Sequence, residues 1–243
     1  MQNKRKILIT NDDGITSDGI IRLTRAAVKF GEVWVVAPES QRSAMSHSIT
    51  LRHEFHAWPV DFPVPGVHAY ACDGTPGDCV RVGVLNIVPE GPDVVFSGIN
   101  FGYNCATDLQ YSATAGAAFE AVFQGVRAIA FSEGANGLHE TTDDYLETVM
   151  AELIDAPLPQ DHIWNVNFPE CKSEECKGIQ RNVRTSRSSI FKDRYNEKRS
   201  EDGMIEFRVN GIYTPSADEG TDLRALLDCY VAIGTVGNVG SRQ

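Results

Sequence analysis

The chain has 243 residues, is 42% hydrophobic and carries a formal charge of −11 at neutral pH. That length and apolar share suffice for one domain with a substantial core, or for a domain with an accessory lobe. The negative balance argues against broad binding to a nucleic-acid backbone, although a metal can invert the local potential for a small phosphorylated substrate. No apolar run reaches bilayer-spanning length, and the polar start Met1-Gln-Asn-Lys-Arg-Lys6 enters a short strand rather than a signal-peptide core. Six scattered cysteines form no metal-binding pair, so a cytoplasmic protein with reduced thiols is expected.

The first strand ends at Thr10 and delivers Asn11, Asp12 and Asp13 to its tip, where Gly14 turns the chain toward a helix. Adjacent carboxylates where a core strand meets solvent oppose shared ionisation, which calls for a compensating cation; their oxygens suit magnesium, manganese or calcium. The competing reading is a single Asp capping the next helix. That helix spans about Asp18–Phe30, turning Ile20, Ile21, Leu23, Ala27 and Val28 inward, and Glu32–Pro38 is the second strand. The polar loop beyond it holds Arg42, Ser43, Ser46 and His47. Either serine hydroxyl suits a metal or a phosphate, Arg42 suits an anionic oxygen, and a plain turn fits equally well. No GxSxG elbow surrounds these serines.

Pro92–Ser97 is another strand, followed by the Gly/Asn-rich loop Gly98–Asn104. Asn100 can offer a neutral oxygen to a metal, and the glycines permit close backbone approach. Ala113–Phe123 reads as a closely packed helix, with Ser112, Thr114 and free amides at its start suited to phosphate or to ordinary capping. Val126–Phe131 and Ile163–Phe168 are strand-like, Asp143–Ile154 has helical periodicity, Thr221–Leu227 is helical and Tyr230–Ile233 strand-like. The polar, locally basic stretch Lys177–Arg199 has a poor core pattern, and Ile205–Val209 alternates as a half-exposed strand. A projecting hairpin or arm over 177–215, within a single domain 1–243, accounts for both. These alternations define an α/β layer whose functional loops share one edge. The six histidines make no HExxH site.

The ordered combination of Ile7–Ile15, Ala37-Pro38 with Arg42-Ser43, Gly74–Val80, Ser97–Asn104, Ser112–Ala118, Asn165–Pro169 and Thr221-Asp222 resembles the SurE survival-protein family of metal-dependent 5'-nucleotidases. The resemblance covers nearly the whole chain. It implies a Rossmann-like three-layer core with a mostly parallel sheet, a projecting β-hairpin arm and a C-terminal oligomerisation element. It further implies one divalent ion per subunit, Mg2+ or Mn2+, held by Asp12, Asp13, Ser43 and Asn100. Phosphate contacts are implied around Gly98, Asn104, Ser112 and Thr114, with Asp12, Asp13, Ser112 and Thr114 catalytic. The implied substrates are nucleoside 5'-monophosphates, with 3'-nucleotides and short polyphosphate as extensions. A homodimer or homotetramer is implied, with neither a nucleic-acid polymer nor a membrane as partner. Ala113 departs from a glycine common in this segment, Gly77 from a frequent alanine, and Ala232–Asn238 from the usual ending. A catalytically weak nucleotide- or phosphate-binding regulator, or a phosphatase of another small metabolite, is the alternative.

Overall fold

A computed structural model describes residues 4–238. The strand β1 (Lys6–Thr10) has Ile7, Leu8 and Ile9 all fully buried, as a strand covered on both faces must be. It leads into α1 (Asp18–Ala27) and then β2 (Glu32–Pro38). A long loop follows, then β3 (Ala57–Pro59), β4 (His68–Cys72) and α2 (Pro76–Val82). The centre of the sheet is completed by β5 (Val94–Phe101), α3 (Ala113–Phe123), β6 (Arg127–Glu133), α4 (Glu140–Leu153) and β7 (His162–Phe168). The remainder comprises β8 (Ile179–Arg181), β9 (Phe191–Lys192), β10 (Tyr195–Arg199), β11 (Ile205–Val209), β12 (Ile212–Tyr213), α5 (Asp222–Leu227) and β13 (Val231–Gly237).

Nine strands form one sheet in the order β3-β4-β2-β1-β5-β6-β7-β13-β8. All neighbours are parallel except β3 with β4 and β7 with β13. Alternate residues of β1 define the layers. Ile7 and Ile9 pack with Leu23 of α1 and Met150 of α4, whereas Leu8 packs with Val80 of α2 and Ala118 of α3. Small residues let α3 lie close to the strands. The chain leaves β1 toward β2 on one side and returns to β5 on the other, so the carboxyl ends of β1 and β5 flank a topological switch point. Ligands of open α/β sheets settle at such a crevice.

Two differences from the sequence expectations bear on the site. The strand expected to end at Ser97 continues to Phe101, with one extra residue between the Ser97–Ala130 and Asn100–Ser132 pairs. Gly98 sits in that bulge at φ +136°, and a Cβ there would lie 2.2 Å from the carbonyl oxygen of Phe131, so only glycine fits. Within 177–215, β8 joins the main sheet beside β13, and the exposed two-stranded hairpin is β10–β11. The divergent tail up to Asn238 includes β13, which lies within the sheet.

Candidate metal and phosphate site

The site collects at the carboxyl ends of β1, β2 and β5 and at the start of α3. Asp12 is 3% exposed, and its Oδ1 accepts from the Thr114 hydroxyl at 2.6 Å. Its backbone oxygen accepts from the Arg42 amide at 2.6 Å, tying the β1 tip to the loop after β2. Burial pushes the Asp12 carboxyl up to about 7; the Thr114 hydrogen bond opposes this and Asp13 adds to it. Asp13 Oδ2 accepts from the Phe101 amide at 2.9 Å. Its carboxyl is likewise raised, by burial first, with Glu133 a further contributor.

Gln41, which the sequence did not single out, spans two of the expected ligands. Its Nε2 donates to Ser43 Oγ at 3.1 Å and lies 3.4 Å from Asp13 Oδ1. Asn100 donates its Nδ2 to the Gly102 carbonyl at 2.7 Å, so Oδ1 is the atom it could offer to a metal. The donor set is therefore two carboxylates and two neutral oxygens. Among the described residues no group of three or more His, Cys, Asp and Glu side chains is placed to hold a metal. An oxygen set this sparse in charge still fits a hard divalent ion that keeps several waters. The buried, raised carboxyl of Asp12 is the observation favouring that fit, since a cation would relieve its desolvation.

The loop carrying Ser43 rests on α3. Ser46 donates its amide to the Tyr111 carbonyl at 3.0 Å and its hydroxyl to the Gln110 carbonyl at 2.9 Å. Gly116 makes this approach possible, because a Cβ there would lie 2.4 Å from the carbonyl oxygen of Ser46. The next residue, His47, places Nε2 2.8 Å from Glu120 Oε2 and stacks on Phe123 with ring centroids 5.3 Å apart. Its ring therefore anchors the loop to α3.

Ser112 caps α3, its Oγ accepting from the Ala115 amide at 2.9 Å, which leaves the hydroxyl proton for an incoming oxygen. The one proton of Thr114 is committed to Asp12, so here Thr114 positions that carboxylate. Between them Ala113, the departure from glycine, is fully buried. Asn104 is buried; its Nδ2 donates to Ser132 at 2.8 Å, its amide to Asn167 at 2.9 Å, and its carbonyl accepts from Asn165 at 2.8 Å. Asn165 and Asn167 thus fix the loop after β5. Asp222 does similar work, accepting from the amides of Ala106 and Ser186 at 3.1 and 2.8 Å. Asp78 closes a capping box with Thr75 and accepts from the Thr50 amide at 2.9 Å. The sequence signal for all these supports is the polar residue inside an apolar or turn segment; apart from Thr75, three residues before Asp78, their partners lie far away in the chain and are not readable from it.

An open α/β sheet with a carboxylate pair at its switch point, neutral oxygens nearby and a capped helix start is an arrangement whose donors would suit a hard divalent ion beside a phosphate. Comparison with known proteins gives the family: the one described as Survival protein SurE matches residues 7–191, and the chain belongs to it. The 5'-nucleotidase SurE of Flavobacterium psychrophilum is 34% identical over 235 residues, covering 95% of this chain and 91% of that one. That of Clostridium botulinum is 37% identical over 231 residues, covering 93% and 90%. The crystal structure of the SurE protein from Aquifex aeolicus superposes with a TM-score of 0.82 at 32% identity, covering 97% of this chain and 95% of that one. Nucleotidases of this family are metal-dependent in general.

Proposed function

We propose that this chain hydrolyses nucleoside 5'-monophosphates to nucleoside and phosphate, with 3'-nucleotides and short polyphosphate as further substrates. The observation that carries the reading is the buried Asp12 carboxylate at the switch point, held by Thr114 and adjoining Asp13. Asp12, Asp13, Ser43 and Asn100 would hold one divalent ion per subunit, Mg2+ or Mn2+. When bound, that ion supplies charge neutralisation for a phosphoryl oxygen and acidifies water. Asp12 orients the attacking water and takes its proton; Thr114 keeps the Asp12 carboxylate in place. Ser112 donates to an equatorial phosphoryl oxygen beside the free amides of the α3 start.

The partners proposed with this activity are a small nucleotide and further copies of the same chain, as a homodimer or homotetramer. No described helix is long and apolar enough to cross a membrane. Names borne by the relatives favour the 5'-nucleotidase over the catalytically weak binder. The test is phosphate release from 5'- and 3'-nucleoside monophosphates and short polyphosphates with magnesium, manganese or chelator. Metal-dependent release from the 5'-monophosphates is expected; nucleotide binding by metal-loaded protein without release would leave the regulator standing.

A further inference from the structure

We infer that the cavity between the 106–110 turn and the base of the arm is a nucleobase subsite favouring guanine; the inference rests on the nucleotidase reading. The cavity holds about 590 Å³ and is lined by Asp108, Tyr111, Phe191 and Asp193 among others. Its aromatic rings are open to solvent, Tyr111 being 63% and Phe191 45% exposed. Both are held in place by their neighbours. Tyr111 donates its amide to the Asp108 carbonyl at 3.0 Å and accepts from the Ser46 amide at 3.0 Å, while Phe191 packs on Tyr213 with ring centroids 5.6 Å apart. Tyr111 also adjoins Ser112 in the chain, so one wall of this cavity is a single residue from the proposed phosphate contact; Ser112 itself lines a separate cavity of about 320 Å³.

The chemistry of the lining selects the base and rejects the phosphate. Exposed aromatic faces suit the flat π-surface of any base. Two carboxylates repel phosphate and accept N–H donors. Asp108 is partly desolvated, and Asp193 lies near enough to raise its carboxyl further. Guanine offers a carboxylate two adjacent donors, the ring N–H and the exocyclic amino group. Adenine offers an amino group beside a ring acceptor, which a carboxylate disfavours. A second cleft, lined by Asp13, Asp18 and Glu133 among others, is smaller at about 330 Å³ and presents Phe101 to a base.

The experiment compares kcat/KM for GMP, AMP and ribose 5-phosphate, which lacks a base, in wild type, Phe191→Ala and Asp108→Asn. The GMP-to-ribose 5-phosphate ratio should fall about tenfold in Phe191→Ala. The GMP-to-AMP ratio should fall about tenfold in Asp108→Asn, whose amide no longer accepts as a carboxylate does. Calorimetric titration with guanosine, read alongside, should show weaker binding to Phe191→Ala. Unchanged ratios in both variants, or a wild type that prefers AMP, overturn the subsite. A wild type that hydrolyses none of the three esters overturns the nucleotidase reading. In that event guanosine binding weakened by Phe191→Ala keeps the subsite, and absent or unaltered guanosine binding removes it.

Discussion

At the carboxyl edge of the sheet, polar atoms are buried and the chain around them is tied down from several elements. At the β10–β11 hairpin the reverse holds. Tyr195, Ile205, Phe207 and Val209 stand in solvent on a two-stranded ribbon. The first region accepts a desolvated carboxylate where an apolar side chain would stabilise the core better. The second leaves apolar surface in water where charged side chains would be better solvated. Each departure from the stability optimum is where the proposed ligand and the proposed second chain would compensate the cost.

The sharpest way to break that contrast is Asp12→Asn. Phosphate release should fall about a thousandfold or more, because the water-orienting carboxylate and a metal ligand go together. The same change should relieve the metal-free protein. Folding raises the Asp12 pKa from 3.8 to about 7, so the folded state keeps a proton that the unfolded chain releases. Stability is complete below the lower value and is lost as pH rises toward the higher one. Across that span the loss is on the order of 4 kcal/mol. Melting of chelated wild type should therefore drop between pH 5 and pH 8 by about 8 °C more than Asp12→Asn does. Parallel pH profiles would show that Asp12 carries no such strain.

Gly116→Val tests the support of the same region. Its side chain would collide with the carbonyl oxygen of Ser46, where a Cβ already lies at 2.4 Å, so the loop carrying Ser43 must move. Turnover should fall about a hundredfold, with a stability loss of about 2 kcal/mol in denaturant titration. Wild-type turnover in this variant would detach Ser43 from the site. Asp78→Ala should behave differently, costing about 2 kcal/mol through the lost cap while turnover falls less than about threefold. That outcome would place Asp78 in the scaffold despite its position in a shared motif.

The central strands were legible because they obey local rules, and the strand-end carboxylates stood out as a candidate site for the same reason. A continuous apolar run such as Ile7–Ile9 reads as a covered strand, and adjacent carboxylates at its tip call for a cation. Gln41 was not legible, since its value lies in joining Ser43 to an Asp13 carboxylate 28 residues before Gln41 itself. Thr114 was expected to face phosphate but turned to Asp12, a choice fixed by where α3 meets β1. The β5 extension escaped because Gly98 and Gly102 read as loop residues, whereas Gly98 is the bulge that carries the strand onward. β3, three residues long, lacks the length that periodicity needs, and β4, with His68 and Tyr70 among alanines, lacks the continuous branched apolar run that marks β1.

At the arm the effect is expected on assembly rather than on turnover. Alternation puts Tyr195, Glu197 and Arg199 of β10 on one face with Val209, Phe207 and Ile205 opposite them. An isolated two-stranded hairpin is marginal in water, so the exposed Tyr195, Val209, Phe207 and Ile205 beside the Glu197–Arg199 ion pair would gain from a neighbour. A second copy of the chain is the neighbour that the proposed homodimer or homotetramer supplies. Phe207→Glu would set a charge into that contact, where an unpaired carboxylate resists burial. Light scattering after gel filtration should show a smaller assembly than wild type at equal concentration. Phosphate release per subunit should change less than about threefold, because Phe207 lies outside the strand-end site. An unchanged assembly would leave the arm to some other partner, whereas a collapse of turnover would join the two regions into one working unit.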